Sequence, residues 1–512
     1  MNFLRLFLSL ALYLRCTGSS RILAFPEFPS HSHHVIFNPI WRELSLRGHQ
    51  VTVITPNPMN DPTLSNLTEI DVGSAYEVVR KKDFVKNMAK GRFIVKRLLF
   101  LHKMLSDCME EEMQHEEFQQ LLRLPSDHFD LLIVQTMHPL VYAIGAKFKA
   151  PIVGVSSMGV FPNSHDVIGN PTHPVLSPDF LVSPEGDMTF FDKIDSLFFN
   201  IVYRLVYHWI ILPESDATAR KYFGKDIPYL GDIESNTSLL LMNINPFVHP
   251  IRANVPAAIE VNQLHITEPK PLPKDIKDFL DSSPQGVVYF SLGSNVKSAN
   301  LSSRTREVIV RALGEVPYKV LWKWETDTLP NKPDNVMTRK WLPQQDILGH
   351  PNVKVFVTQG GLQSVEEAIS YAVPMVGLPF ITDQPGNIKK ITDLGMGLGL
   401  DYRTMSKEQL KNAIMEVGEN SWYKQKISDA RLILVDQPIR GVPKAVWWIE
   451  YIIRHKGARH MRSPAADMSY FEYFMMDVFL FLFVCFFVIV YTVIKMLRIL
   501  RTLFRSQKVK VN

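Results

Sequence analysis

The sequence predicts an α/β protein of two doubly wound domains, followed by one C-terminal transmembrane helix. Three observations carry this. Short β-branched runs alternate with helical stretches twice along the chain, a Pro-rich polar stretch divides the two series, and residues 478–494 form an uncharged apolar run followed only by basic residues. At 512 residues the chain exceeds what one core ordinarily serves. Its 46% apolar and 21% charged residues are globular proportions. The formal net charge is +5. Much of that excess lies in Lys495, Arg498, Arg501, Arg505, Lys508 and Lys510, so the body is close to neutral and nucleic acid is not an expected partner.

The elements follow in order. Arg5, an apolar stretch over 6–14 and the small residues Thr17-Gly18-Ser19-Ser20 have the layout of a cleaved signal peptide over 1–20. The first domain, 21–268, opens with a strand at 22–25, a loop rich in Pro, Ser and His, a helix at 35–47 ended by Gly48, and a strand from Gln50. That is a strand–helix–strand unit with a parallel pair. Strand signals recur at 131–134 and 152–156. Residues 93–105 and 190–212 are strongly apolar with basic interruptions; each either lies on a membrane surface or caps the domain core.

The polar stretch beginning at Glu268 leads to the second domain, 269–455. Its first strand runs into a tight glycine turn ending at Ser294, and further strands are expected at 319–324, 353–357 and 375–378. A juxtamembrane linker (456–477) precedes the span, and a basic tail (495–512) follows it. Tyr470, Tyr473 and Tyr491 bracket the apolar run as an aromatic belt does. The positive-inside rule places the tail in the cytosol and the body in the lumen, and Lys508-Val509-Lys510-Val511-Asn512 resembles a dilysine endoplasmic reticulum retrieval signal. Cys16 falls in the signal peptide and Cys485 in the span. Cys108 is therefore alone in the body, without a disulfide and with no catalytic neighbour in sequence. Asn66, Asn236 and Asn300 begin glycosylation triplets.

The densest chemical signal runs from Arg339-Lys340-Trp341-Leu342-Pro343-Gln344 through Thr358-Gln359-Gly360-Gly361-Leu362-Gln363-Ser364 to Asp383-Gln384-Pro385-Gly386-Asn387. A strand here enters a Gly-Gly turn and a helix opens near Leu362. Helix N-terminal amides beside a closely approaching glycine backbone make an anion site, to which Ser364 adds a hydroxyl. Glu367 lies one turn further on, placed for a carboxylate to bridge two ribose hydroxyls.

With Arg47-Gly48-His49-Gln50-Val51-Thr52-Val53 and Phe290-Ser291-Leu292-Gly293-Ser294, these motifs resemble the UDP-glycosyltransferase family, in its membrane-bound UDP-glucuronosyltransferase-like branch, across essentially the whole chain. The resemblance implies two facing Rossmann-like domains of the GT-B type, with acceptor bound by the first and UDP-sugar by the second. It implies that Trp341 stacks on uracil while Gln344 helps hold the nucleoside. Ser294, Ser364 and the turn at Gly361 meet the diphosphate, Glu367 the ribose, and Asp383 and Gln384 the sugar hydroxyls. It implies His33, in Ser32-His33-His34, as the general base that takes the acceptor's hydroxyl proton while UDP leaves with inversion.

His31, His33 and His34 lack the further ligands a zinc site needs, and there is no Asp-x-Asp element, so no metal or other cofactor is expected and UDP-sugar is a co-substrate. Two departures stand out. The position where many relatives carry an acid to orient the base holds Gln135, and Gln359 stands where many carry His. The implied function is transfer of a hexose, glucose or glucuronic acid, to a small lipophilic acceptor by an endoplasmic reticulum membrane enzyme. Gln135 keeps open a weakened homologue that binds UDP-sugar or a lipophile and modulates a partner, and a nucleotide-sugar epimerase is a more distant rival. Anchoring beside membrane lipid favours lateral association into homo- or hetero-oligomers.

Overall fold

The computed structural model describes residues 18–82, 84–89, 94–182 and 188–509. Nearly all of the expected signal peptide, Cys16 with it, and the last three residues of the dilysine-like end lie outside the described residues. The chain forms two compact units, one ending at Arg462 and one beginning at Ser463.

The first unit holds two parallel sheets. In the first, β1 (Arg21–Phe25), β2 (Gln50–Thr55), β3 (Leu67–Asp71), β4 (Leu131–Gln135), β5 (Ile152–Ser156), β6 (Thr237–Asn243) and β7 (Ala258–Val261) lie in the order β3-β2-β1-β4-β5-β6-β7. In the second, β8 (Val287–Ser291), β9 (Lys319–Lys323), β10 (Val336–Arg339), β11 (Val353–Thr358), β12 (Met375–Gly377) and β13 (Gly397–Gly399) lie in the order β10-β9-β8-β11-β12-β13. Strand order reverses between β1 and β4, and again between β8 and β11. Loops leaving the strand ends at such a reversal diverge and leave a crevice. Each sheet is covered on both faces, so its strands read as near-continuous apolar runs. In β4, Leu132 and Val134 join the core on one face, and Leu131 and Ile133 the core on the other.

Six helices of the first unit position the site or its surroundings: α1 (His31–Leu46), α2 (Ile94–Met113), α3 (Phe190–Val206), α4 (Leu362–Ser370), α5 (Gln384–Asp393) and α6 (Gly441–Arg454). Helix α1 begins four residues earlier than the sequence suggests, because the Ser30 carbonyl already accepts from the His33 and His34 amides. His33 thus sits in a first helical turn and not in a loop. Gly48, at φ 91°, ends the helix as expected.

Helix α6 falls within the expected second domain, 269–455. Ala445, Val446, Ile449 and Ile452 pack with Ile22, Ala24 and Leu239, so the chain returns to cover the first sheet. Their spacing marks an apolar stripe but cannot say which sheet receives it. Helix α2 is core: Leu98, Leu101, Met104 and Leu105 pack inward. Helix α3 divides its surface. Phe199, Tyr203 and Val206 join the core, while Phe190, Phe191, Ile194, Leu197, Phe198 and Ile201 are exposed.

The second unit contains α7 (Met476–Val509), whose portion Met476–Leu503 is apolar and long enough to cross a membrane, with none of its most apolar window buried. It is longer than the expected 478–494. In the first unit Asn66, Asn236 and Asn300 are exposed, as glycosylation requires, whereas Cys108 is buried and its thiol pKa is pushed up by that burial.

Candidate active site

Elements at both reversal points line one cavity of about 350 Å³. His33, Ser294, Trp341, Gln344, Gln359, Gly361, Ser364, Glu367, Asp383 and Gln384 all line it, which brings every residue singled out from the sequence to one place except Gln135. Gln135 ends β4 directly behind His33.

The first-sheet side is apolar apart from Ser32 and its histidines. Phe28, Phe84, Met137, Phe161 and Phe180 face the cavity. Aromatic and thioether walls of this kind suit a lipophilic guest without fixing its shape. The three close histidines serve three different partners. His34 uses both ring nitrogens structurally, against the Phe28 carbonyl at 3.0 Å and Thr55 Oγ1 at 3.0 Å. His31 meets the Trp341 ring edge-on, with centroids 5.1 Å apart. His33 packs against Phe28, and its Nδ1 lies 2.8 Å from Gln135 Nε2 and 2.7 Å from Ser157 Oγ. Burial, with a smaller contribution from His34, lowers the His33 pKa to about 3, so the ring is neutral at physiological pH. Among the described residues no group of three or more His, Cys, Asp or Glu is arranged to hold a metal ion.

The second-sheet side is polar. Trp341 is 59% exposed, an unusual position for an indole not in use as a platform. Behind it, Lys323 Nζ lies 5.5 Å from the ring centroid and donates to the Gly293 carbonyl at 3.0 Å and Glu325 Oε1 at 3.1 Å. The turn between β11 and α4 needs Gly360. Its φ is +81°, and a Cβ there would come within 2.5 Å of Ile388 on α5. Gln359 extends over Gly293, with its Oε1 buried and unpartnered. A buried acceptor without a partner is a position where ligand or water is expected.

Gln344 is engaged more deeply than the sequence suggests. Its Nε2 donates to Ser364 Oγ at 2.9 Å and Glu367 Oε2 at 2.6 Å, and its Oε1 accepts from the Tyr289 hydroxyl at 3.1 Å. It therefore positions Ser364 and Glu367, rather than offering free amide hydrogens to a nucleoside. On the far side of Glu367 stands His265, whose Nε2 is 3.4 Å from Oε1. Burial opposes charge on His265, but the hydrogen bond and charge of Glu367 and the charge of Glu366 outweigh it, so its pKa is raised.

Asp383 is held by Thr382 Oγ1 at 3.0 Å and Asn387 Nδ2 at 2.7 Å, and burial raises its pKa. Gln384 Oε1 accepts from the Phe380 and Ile381 amides, leaving its amide hydrogens for a ligand. Thr382, immediately before Asp383, sits at φ 56°, a costly conformation for a β-branched residue.

Ser157, Lys323 and His265 escaped the sequence reading. Each lies outside the contiguous motif run, and no spacing rule links them to it. Only the convergence of separate strand ends does.

The comparisons with known proteins agree with this geometry. The family description UDP-glucoronosyl and UDP-glucosyl transferase matches residues 20–511. UDP-glycosyltransferase UGT5 of Dactylopius coccus is 34% identical, with 93% of this chain and 91% of the relative covered. UDP-glucuronosyltransferase 2B19 of Macaca fascicularis is 31% identical over 98% and 97%. Among solved structures, glycosyltransferase VinC in complex with DTDP shares the fold at TM-score 0.58 and 15% identity, covering 85% of this chain and all of that one. The fold is GT-B. The chain belongs to the UDP-glucoronosyl and UDP-glucosyl transferase family and is a UDP-glycosyltransferase.

Proposed function

We propose that the protein transfers a hexose from a UDP-sugar to a hydroxyl of a small lipophilic acceptor, with inversion and without a metal. The observation that carries this is the shared cavity. His33 borders its apolar half, and the N-terminus of α4, with Ser364, Gly361 and exposed Trp341, borders its polar half. The acceptor oxygen bonds to the anomeric carbon as the bond from that carbon to the phosphate oxygen breaks. UDP leaves with the electron pair, and His33 Nε2 receives the acceptor's proton. Backbone amides at the start of α4 and the Ser364 and Ser294 hydroxyls stabilise the departing diphosphate. Trp341 takes the base, Glu367 the ribose, and Asp383 with Gln384 the sugar hydroxyls.

Glucose is the better donor in this reading, ahead of glucuronic acid. Lys323, a buried cation on the cavity wall, is already paired with Glu325 and gives a sugar carboxylate little attraction. The helix α7 anchors the chain as a type I protein of the endoplasmic reticulum membrane, with the site in the lumen and the basic tail in the cytosol. Acceptors that partition into lipid are concentrated beside it.

Microsomes expressing the full chain, given labelled UDP-glucose or UDP-glucuronic acid and a panel of phenols, test this. Conjugates are expected with UDP-glucose, and His33→Ala lowers their rate by roughly 10²- to 10⁴-fold. Equal inactivity of wild type and mutant, with UDP still bound, would overturn it.

A further inference from the structure

An imidazole that accepts a proton at Nε2 must carry its own on Nδ1, so Nδ1–H needs an acceptor. A carboxylate behind the ring could only accept. Gln135 can present either end of its amide, and the end now facing Nδ1 is the donor, while Oε1 is buried without a partner. In that arrangement the ring proton stays on Nε2 and the base is blocked. The Gln135 Nε2 also donates to Met137 Sδ at 2.8 Å, but a thioether is a weak acceptor and holds the amide loosely.

The Ser157 hydroxyl both donates and accepts. Its backbone is fixed from β6 and α4, since the Ser157 carbonyl accepts from Asn243 Nδ2 at 3.1 Å and from Gln363 Nε2 at 3.1 Å. Its Oγ lies 2.7 Å from His33 Nδ1 and 3.4 Å from the Gln135 amide nitrogen. A half-turn of that amide puts the oxygen where the nitrogen stands, and a directed chain then closes. His33 Nδ1–H donates to Ser157 Oγ, and Ser157 Oγ–H donates to Gln135 Oε1.

We propose that Ser157 is a positioning residue that fixes the base-competent tautomer of His33, a serine and an amide together replacing a single carboxylate. This rests on the transferase reading above. The chain sets the tautomer but carries no negative charge, so the imidazolium formed during transfer stays uncompensated until it releases its proton to water.

Five full-length chains test the proposal: wild type, Ser157→Ala, Ser157→Thr, Gln135→Glu and the Ser157→Ala, Gln135→Glu double variant, with UDP binding by calorimetry reporting that each is folded. Ser157→Ala is expected to lower kcat roughly 10- to 100-fold with both KM values unchanged. Ser157→Thr, which keeps the hydroxyl, recovers most of that loss. In the Gln135→Glu background, where a carboxylate always accepts, removing Ser157 has little effect, and the pH–rate profile gains an acid limb near neutrality. Equal losses in both backgrounds, or no loss in either, overturn the role of Ser157. A wild-type chain that binds UDP and transfers nothing overturns the transferase reading together with it.

Discussion

Trp341 is braced from two sides, the His31 ring meeting it edge-on and Lys323 Nζ lying over one face 5.5 Å from the centroid, which leaves the opposite face for a base. A base stacked there gains what aromatic stacking supplies, so Trp341→Ala is expected to weaken UDP binding by roughly 1–3 kcal/mol, about 5- to 150-fold. The ring is largely exposed, so the melting temperature changes little. Calorimetric titration with UDP separates the two, and a large drop in melting temperature with unchanged affinity would make Trp341 a packing residue. This residue was legible in the sequence because its motif is contiguous. Gln344 was legible as a member of the site, but its partners were not: its bonds to Ser364, Glu367 and Tyr289 join segments far apart along the chain. Ser157 gave no signal at all, since a serine just past a buried strand looks like any turn residue until the first helix brings His33 beside it.

Strands β1, β2, β4, β5, β8, β9, β11 and β12 were legible as runs rich in apolar residues and bounded by turn residues, whereas β3, β6, β7, β10 and β13 were not picked out, β3 and β10 being short and partly polar and β13 only three residues long. What periodicity could not assign was the partner of a helix face. Helix α6 shows this on one side and α3 on the other. The stretch from Phe190 to Phe223 has the length and apolarity of a membrane span, yet 44% of its most apolar window is buried in the protein. A helix with one face in the core cannot cross a bilayer, but its other face can lie on one. Phe190, Phe191, Leu197, Phe198 and, within the π-helical turn Tyr207–Ile211, Trp209 make that outer face, with Trp209 75% exposed. Under the anchoring proposed for α7, this face is expected to meet the lipid surface. Full-length protein in vesicles with brominated lipid should show tryptophan quenching that falls in Trp209→Phe. Unchanged quenching in that variant would place the face in water.

At the scale of the whole molecule, buried titratable groups of two kinds set opposite limits on stability. Burial lowers His33 to about 3 and His34 and His249 to about 4, and takes His138 and His165 well below their ordinary value. For each, the unfolded chain takes up a proton near pH 6.5 that the folded chain refuses. Stability present above that pH is therefore lost as pH falls toward 3–4, by ~1.4 kcal/mol per pH unit for each proton in the window. Burial acts in the other direction on carboxyls. It pushes Asp179 up to about 7 and Glu234 up to about 8, and raises Glu27 and Glu112 well above their ordinary value, Glu112 with both oxygens unpartnered. Stability from these is full below about pH 4.5 and is lost as pH rises through their folded values. The two families oppose each other between the carboxyl and histidine reference values, and above pH 6.5 only the carboxyl loss remains. The melting temperature of the detergent-solubilised full chain is therefore expected to peak between about pH 5 and 6.5 and to fall on both sides. Glu112→Gln mimics the protonated form and relieves Glu27 as well, so it should raise stability at pH 8 by about 1–3 kcal/mol while leaving pH 5 nearly unchanged. A variant stabilised equally at both pH values would show that Glu112 acts through packing. A flat profile from pH 6.5 to 8 would show that the buried carboxyls ionise without penalty. The histidine proposed as base belongs to the first family: the burial that keeps His33 neutral is the same burial that makes the fold acid-sensitive.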